Sequence, residues 1–83
     1  MNGVIRDVLA EHGNLAVGVS ELADDDDLYR AGLSSHATVS VMLALEERLG
    51  LEFTDEMLHR QTFASVRAIR SALDAATPTE RNG

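Results

Sequence analysis

Between Gly32 and Gly50 the chain runs without a glycine or a proline, and two serines stand near the front of that run. Ser34 and Ser35 offer side-chain oxygens to the free N–H groups of a first helical turn. Gly50 offers a residue at ease in the left-handed conformation that closes a helix. The spacing therefore predicts a helix from Ser34 or Ser35 to about Leu49, with Arg48 near its negative end. At about 100° per residue, Thr38, Val41, Met42, Leu45 and Leu49 share one face, the natural core side. Val39 and Leu43 fall nearly opposite, beside His36, Ser40 and Glu47, with Glu46 at one edge. A helix packed on one side needs no second apolar stripe. Singly exposed apolar residues are common. Val39 and Leu43, ringed by carboxylates, also fit a docking face that selects basic partners.

The other elements are shorter. Val4, Ile5, Val8 and Leu9 make one stripe of a first helix from about Val4 to His12, stopped by Gly13 and Asn14. A long connection follows, from about Leu15 to Ser34. Val17, Val19, Leu22, Leu28 and Tyr29 pin it to the core, and it contains the run Asp24-Asp25-Asp26-Asp27. Phe53 to Leu58 reads as a short third helix, capped by Thr54, with Phe53 stapled on Leu58. A last helix starts near Thr62 and turns Val66, Ile69 and Leu73 inward. No strand signal and no internal repeat is present. The expected fold is all-α: a four-helix bundle with a long loop between helices 1 and 2 and a short helix 3. A chain of 83 residues is expected to hold one domain, residues 1–75, followed by a flexible tail over 76–83.

Charge narrows the function. Fourteen acidic residues face seven basic ones, all arginine, for a net charge of −7. Such a surface repels nucleic acid and anionic membranes, so neither is an expected partner, and it attracts proteins with basic patches. The 45% hydrophobic content is too high for a disordered chain. The absence of cysteine excludes disulfides and thiolate metal sites and fits the cytoplasmic location expected here. No apolar run approaches a membrane span, and the first residues lack the pattern of a signal peptide. A core this small leaves little room for an enclosed active site. A triad on Ser35 would need a histidine base, and the adjacent His36 points elsewhere on a helix, so no enzyme is expected. Carboxylates suit calcium or magnesium, but Asp24 to Asp27 lack the alternating spacing and turn glycine of a calcium loop. His12, His36 and His59 are scattered, so no metal site is expected.

A serine at a helix start usually only caps it. The same position also suits a phosphate ester, which meets free N–H groups and the positive end of the helix dipole. Asp26-Asp27-Leu28-Tyr29-Arg30-Ala31-Gly32-Leu33-Ser34-Ser35 resembles the segment leading to the modified serine of the acyl carrier protein family. Thr38-Val39 and Ala44-Leu45-Glu46-Glu47 resemble the helix that follows it. Anchoring on Ala44-Leu45-Glu46-Glu47 places the family's serine on Ser35, with Ser34 a second candidate. Two positions depart from the pattern: Ser34 stands where the family usually has Asp or His, and His36 where it often has Leu.

The resemblance implies a 4'-phosphopantetheine arm, taken from coenzyme A, on Ser35, holding an acyl or aminoacyl group as a thioester. It implies as partners a phosphopantetheinyl transferase, a ligase that loads the arm with an amino acid or acyl group, and downstream enzymes that use the cargo. His36, Val39, Leu43, Glu46 and Glu47 would form the docking face. Leu33-Ser34-Ser35-His36, Phe53 and Leu58-His59-Arg60-Gln61-Thr62-Phe63 are similar to stand-alone carriers loaded by ligases that resemble class II aminoacyl-tRNA synthetases. That implies a small amino acid as cargo, with His59 and Arg60 near the arm's path and available to a ligase. The protein is expected to be a monomer. A helical adaptor without a prosthetic group predicts the same composition and fold.

Overall fold

The first helix, α1, spans Asn2–His12 and buries Ile5, Val8 and Leu9 completely, as their spacing requires. It stops where Gly13 donates its N–H to the Leu9 carbonyl at 2.8 Å and Asn14 takes a left-handed φ of 54°. The computed structural model describes residues 2–78 and contains three α-helices: α1, α2 over Ser35–Leu49 and α3 over Val66–Ala75. α1 packs against both of the others. No helix among the described residues is long and apolar enough to cross a membrane.

The expected short third helix is not an α-helix. Asp55–Met57 and Arg60–Phe63 are single 3-10 turns. The stretch between the Gly50 cap and the start of α3 is short, and isolated turns of this kind do not propagate. The Thr54 side chain makes no cap hydrogen bond. Phe53 does not staple on Leu58, which is exposed; its ring packs instead on Phe63, with centroids 5.4 Å apart. The last helix begins at Val66, not near Thr62, because Ser65 is the residue in extended conformation whose Oγ accepts from the Ala68 N–H at 3.0 Å. Thr62 is buried in the preceding turn. Val66, Ile69 and Leu73 face the core as expected.

The connection between α1 and α2 is fastened rather than loose. Leu22, Leu28 and Leu33 are buried, whereas Val17, expected to pin the loop, is 43% exposed. The acidic run holds this connection to two helices. Arg6 of α1 donates to the Val19 carbonyl at 2.9 Å and to Asp24 at 2.7 Å. The Arg67 N–H of α3 donates to the Asp24 carbonyl at 3.0 Å, and its side chain pairs with Asp25 at 2.9 Å. Asp26 accepts from the Ala23 N–H and Asp27 from the Tyr29 N–H, at 2.8 and 2.9 Å. Among the described residues no three His, Cys, Asp or Glu side chains gather into a metal-binding group.

Gly32 is where the loop turns toward α2. It has a φ of +113°, and a Cβ there would lie 3.0 Å from the Ala16 nitrogen, whose N–H donates to the Ala31 carbonyl at 2.8 Å. Strain and crowding both oppose a side chain. Gly32→Ala is expected to lower unfolding stability by more than about 1 kcal/mol, read as a lower urea midpoint; an unchanged midpoint would show that the turn relaxes freely.

α2 closes at Gly50, with φ 63°, its N–H on the Glu46 carbonyl. The chain then runs into β1, Leu51–Glu52, which pairs antiparallel with β2, Thr77–Pro78. This pair carries no sequence signal because two residues are too few for an alternation. The expected tail begins at Ala76, and residues 79–83 of it lie outside the described residues.

Candidate functional site

The two serines at the mouth of α2 have different roles. Ser34 is the N-cap: its φ and ψ are −89° and 166°, and its Oγ accepts from the Ala37 N–H at 3.0 Å. Its carbonyl accepts from the Thr38 N–H at 2.9 Å and the Thr38 hydroxyl at 2.8 Å. Ser35 is the first helical residue, and its side chain is exposed. Among the described residues its hydroxyl makes no hydrogen bond, to a histidine or to anything else.

Ser35 opens onto a groove of about 360 Å³. One wall is α2, where Ser35, Thr38, Val39 and Met42 follow one another at i, i+3, i+4 and i+7. The other wall is Leu58, His59, Arg60 and Phe63, and Tyr29 closes one side. A hydrogen bond and a stacking contact bring these distant segments together. The Tyr29 hydroxyl donates to the Arg60 carbonyl at 2.7 Å, and the Arg60 guanidinium lies 3.9 Å from the centre of the Tyr29 ring. Burial pushes the Tyr29 phenol above its ordinary range, against the Arg60 cation and the Thr38 hydroxyl, which pull it down.

The residues singled out in the sequence divide among three places. Ser35, Val39, His59 and Arg60 share the groove. Leu43 and Glu47 line a second depression on the other flank of α2, of about 430 Å³, with His12, Ser40 and Arg48. His36 is exposed and lines neither, and the Glu46 carboxylate accepts from the Phe53 N–H at 3.0 Å. Val39 and Leu43 are 52% and 54% exposed, so the second apolar face of α2 is real. Arg48 near the end of the helix also holds Glu11 of α1, at 2.6 Å.

Sequence reasoning missed Tyr29 as a groove residue, and with it Thr38, Met42, Leu58 and Phe63. Thr38 and Met42 were visible in the helical spacing from Ser35. The contact between Tyr29 and Arg60 had no local signal.

An exposed, unbonded hydroxyl at the first residue of a helix, beside an open apolar groove, fits an attachment point for a long flexible group. A family model described as the phosphopantetheine attachment site matches residues 4–73. The chain belongs to that family. This carrier domain is 48% identical, over 73 residues, to an aminoacyl carrier protein of Agrobacterium fabrum, covering 88% of each chain. Its fold matches a carrier protein from Agrobacterium tumefaciens, crystallised with an engineered Bradyrhizobium japonicum glycine:carrier protein ligase and AMP, at a TM-score of 0.87 and 47% identity. That match covers 89% of the carrier domain and 99% of its counterpart. A solution structure of an Agrobacterium tumefaciens protein matches at a TM-score of 0.74 and 47% identity, over 90% of each chain. Members of the family hold 4'-phosphopantetheine covalently, and the carrier domain is a carrier of cargo rather than an enzyme.

Proposed function

We propose that the protein is an aminoacyl carrier whose 4'-phosphopantetheine is linked through a phosphodiester to Ser35 Oγ and holds a small amino acid as a thioester. The observation that carries the assignment is the division between the serines. Ser34 uses its Oγ to cap α2, and Ser35 is left exposed with a hydroxyl free for esterification. The ester would sit against the unpaired N–H groups of the first turn, where negative charge is favoured. The amino acid rests on the aminoacyl carrier protein at 48% identity and on the structural neighbour bound to a glycine:carrier protein ligase.

Residues 1–75 form the working domain in this reading, a cytoplasmic monomer. A phosphopantetheinyl transferase installs the arm, a ligase of the aminoacyl-tRNA-synthetase type loads it, and downstream enzymes remove the cargo. Val39 and Leu43 supply apolar contact to these partners, and His36, Glu46, Glu47, His59 and Arg60 supply polar contact around them. Tethering raises the effective concentration of the cargo at whichever enzyme is docked.

The test offers the phosphopantetheinylated protein two loading systems. One is a synthetase-like ligase with ATP and a panel of amino acids; the other is an acyl-carrier synthetase with fatty acids. The expected product, read by intact-protein mass spectrometry, is a glycyl or alanyl thioester from the first system. Efficient fatty acylation with no aminoacylation would overturn the aminoacyl assignment.

A further inference from the structure

The groove beside Ser35 combines an apolar lining with a fixed cation. Val39, Met42, Leu58 and Phe63 make it apolar, while Arg60 stands on its wall. In a chain of net charge −7, Arg60 makes no ion pair among the described residues. Its guanidinium is held over the Tyr29 ring, and its backbone is tied to the Tyr29 hydroxyl. The neighbouring carboxylate, Asp27, is turned to the backbone N–H groups of Tyr29 and Arg30, at 2.9 and 3.4 Å. His59, the other ionisable group on the same wall, can only add positive charge.

The arm proposed for Ser35 is uncharged beyond its phosphodiester, and the groove's 360 Å³ lies in the range of small-molecule sites. What changes on loading is the charge of the tip. A free thiol or a simple acyl tip is neutral. An aminoacyl thioester carries an α-amino group, a type that ordinarily titrates at about 7.7–8.0, so it is mostly cationic at neutral pH. A cation entering this groove gives up part of its hydration to the apolar lining and meets the exposed Arg60 cation, a repulsion that salt weakens. Outside, the acidic surface attracts it.

We propose that the groove sorts the arm by the charge of its tip, sheltering a neutral tip and turning a cationic aminoacyl tip out to solvent, with Arg60 as the residue that sets the difference. This rests on the reading that Ser35 carries the arm. Its consequence is that an empty arm is parked and a loaded one is presented to the next enzyme.

The experiment uses a transferase to install three arms on isotope-labelled protein: the free thiol, and hydrolysis-resistant amide analogues of the propionyl and glycyl thioesters. Propionyl and glycyl tips have nearly the same size and differ by a methyl in place of an ammonium. Amide NMR shifts of Thr38, Met42, Leu58 and Phe63 report groove occupancy against the unmodified protein. Thiol and propionyl arms are expected to shift these resonances, and the glycyl arm to occupy the groove at least about tenfold less. Arg60→Gln should let the glycyl arm in, and Arg60→Lys, which keeps the charge, should keep it out; dispersed amide spectra check that both variants fold. Equal shifts from glycyl and propionyl arms, no shift from any arm, or an unaltered difference in Arg60→Gln would each overturn the proposal. Mass spectrometry of the same samples separates the two readings: a missing arm on Ser35 defeats the attachment assignment, while an arm in place with no charge dependence defeats the sorting alone.

Discussion

Ser35→Ala, incubated with coenzyme A and a broad-specificity phosphopantetheinyl transferase, is expected to gain no mass, whereas the unaltered protein gains one phosphopantetheine. The loss should be complete, because it removes the oxygen that forms the ester. Ser34→Ala is the informative companion. It removes the cap on α2 and should cost about 1 kcal/mol of stability, yet it leaves Ser35 Oγ in place and should still take the arm. Ser35→Ala should be the more stable of the two, since the Ser35 hydroxyl makes no hydrogen bond among the described residues. An arm found on Ser35→Ala would move the site to Ser34 and would require the cap to open during modification.

Substitutions on the two faces of α2 should separate docking from folding. Leu43 is 54% exposed and Leu45 fully buried. Leu43→Ala is therefore expected to change stability by less than about 0.5 kcal/mol while slowing ligase loading by roughly tenfold, the scale of an interface residue worth more than 1 kcal/mol. Leu45→Ala should cost about 2–5 kcal/mol of stability by opening a cavity. Glu47→Lys, on an exposed residue beside Leu43, should weaken loading through a slower association whose deficit shrinks as salt is added. Glu46→Gln is a contrasting case, because that carboxylate holds the Phe53 N–H at 3.0 Å and its loss would act through the β1 segment as well as through charge. Stopped-flow loading against thermal melts of the same proteins makes the comparison. A Leu43→Ala protein that melts early would place Leu43 in the core and remove the docking face.

The acidic run shows how a strong sequence feature can take its meaning from residues far away. Read alone, Asp24 to Asp27 is a cluster of negative charge suited to a solvated loop or a cation. In the fold, Arg6 and Arg67 reach Asp24 and Asp25 from different helices, while Asp26 and Asp27 close local turns. The Arg67 pair is 68% exposed on both sides and contributes little by itself. The Arg6 contact is better shielded and includes the Val19 carbonyl, so it fixes the loop's path more firmly.

Features that depend on neighbours along the chain were legible in the residues alone. The C-terminal ends of α1 and α2, the left-handed stop at Gly50, the buried faces of α1 and α3 and the exposed pair Val39 and Leu43 all follow from helical periodicity and from end residues that act within one turn, whereas α1 begins at Asn2, two residues before the expected Val4. Tertiary structure decided the rest. Residues 53–63 became two 3-10 turns because Phe53 packs on Phe63 and Thr62 is buried, contacts that outweigh a cap at Thr54. The choice between Ser34 and Ser35 as cap required the backbone angles of the loop leading into α2. The groove required Tyr29 to meet Arg60 across 31 positions of chain. Periodicity reports only which side of an element is apolar; which distant wall it faces depends on how the loops close over the core.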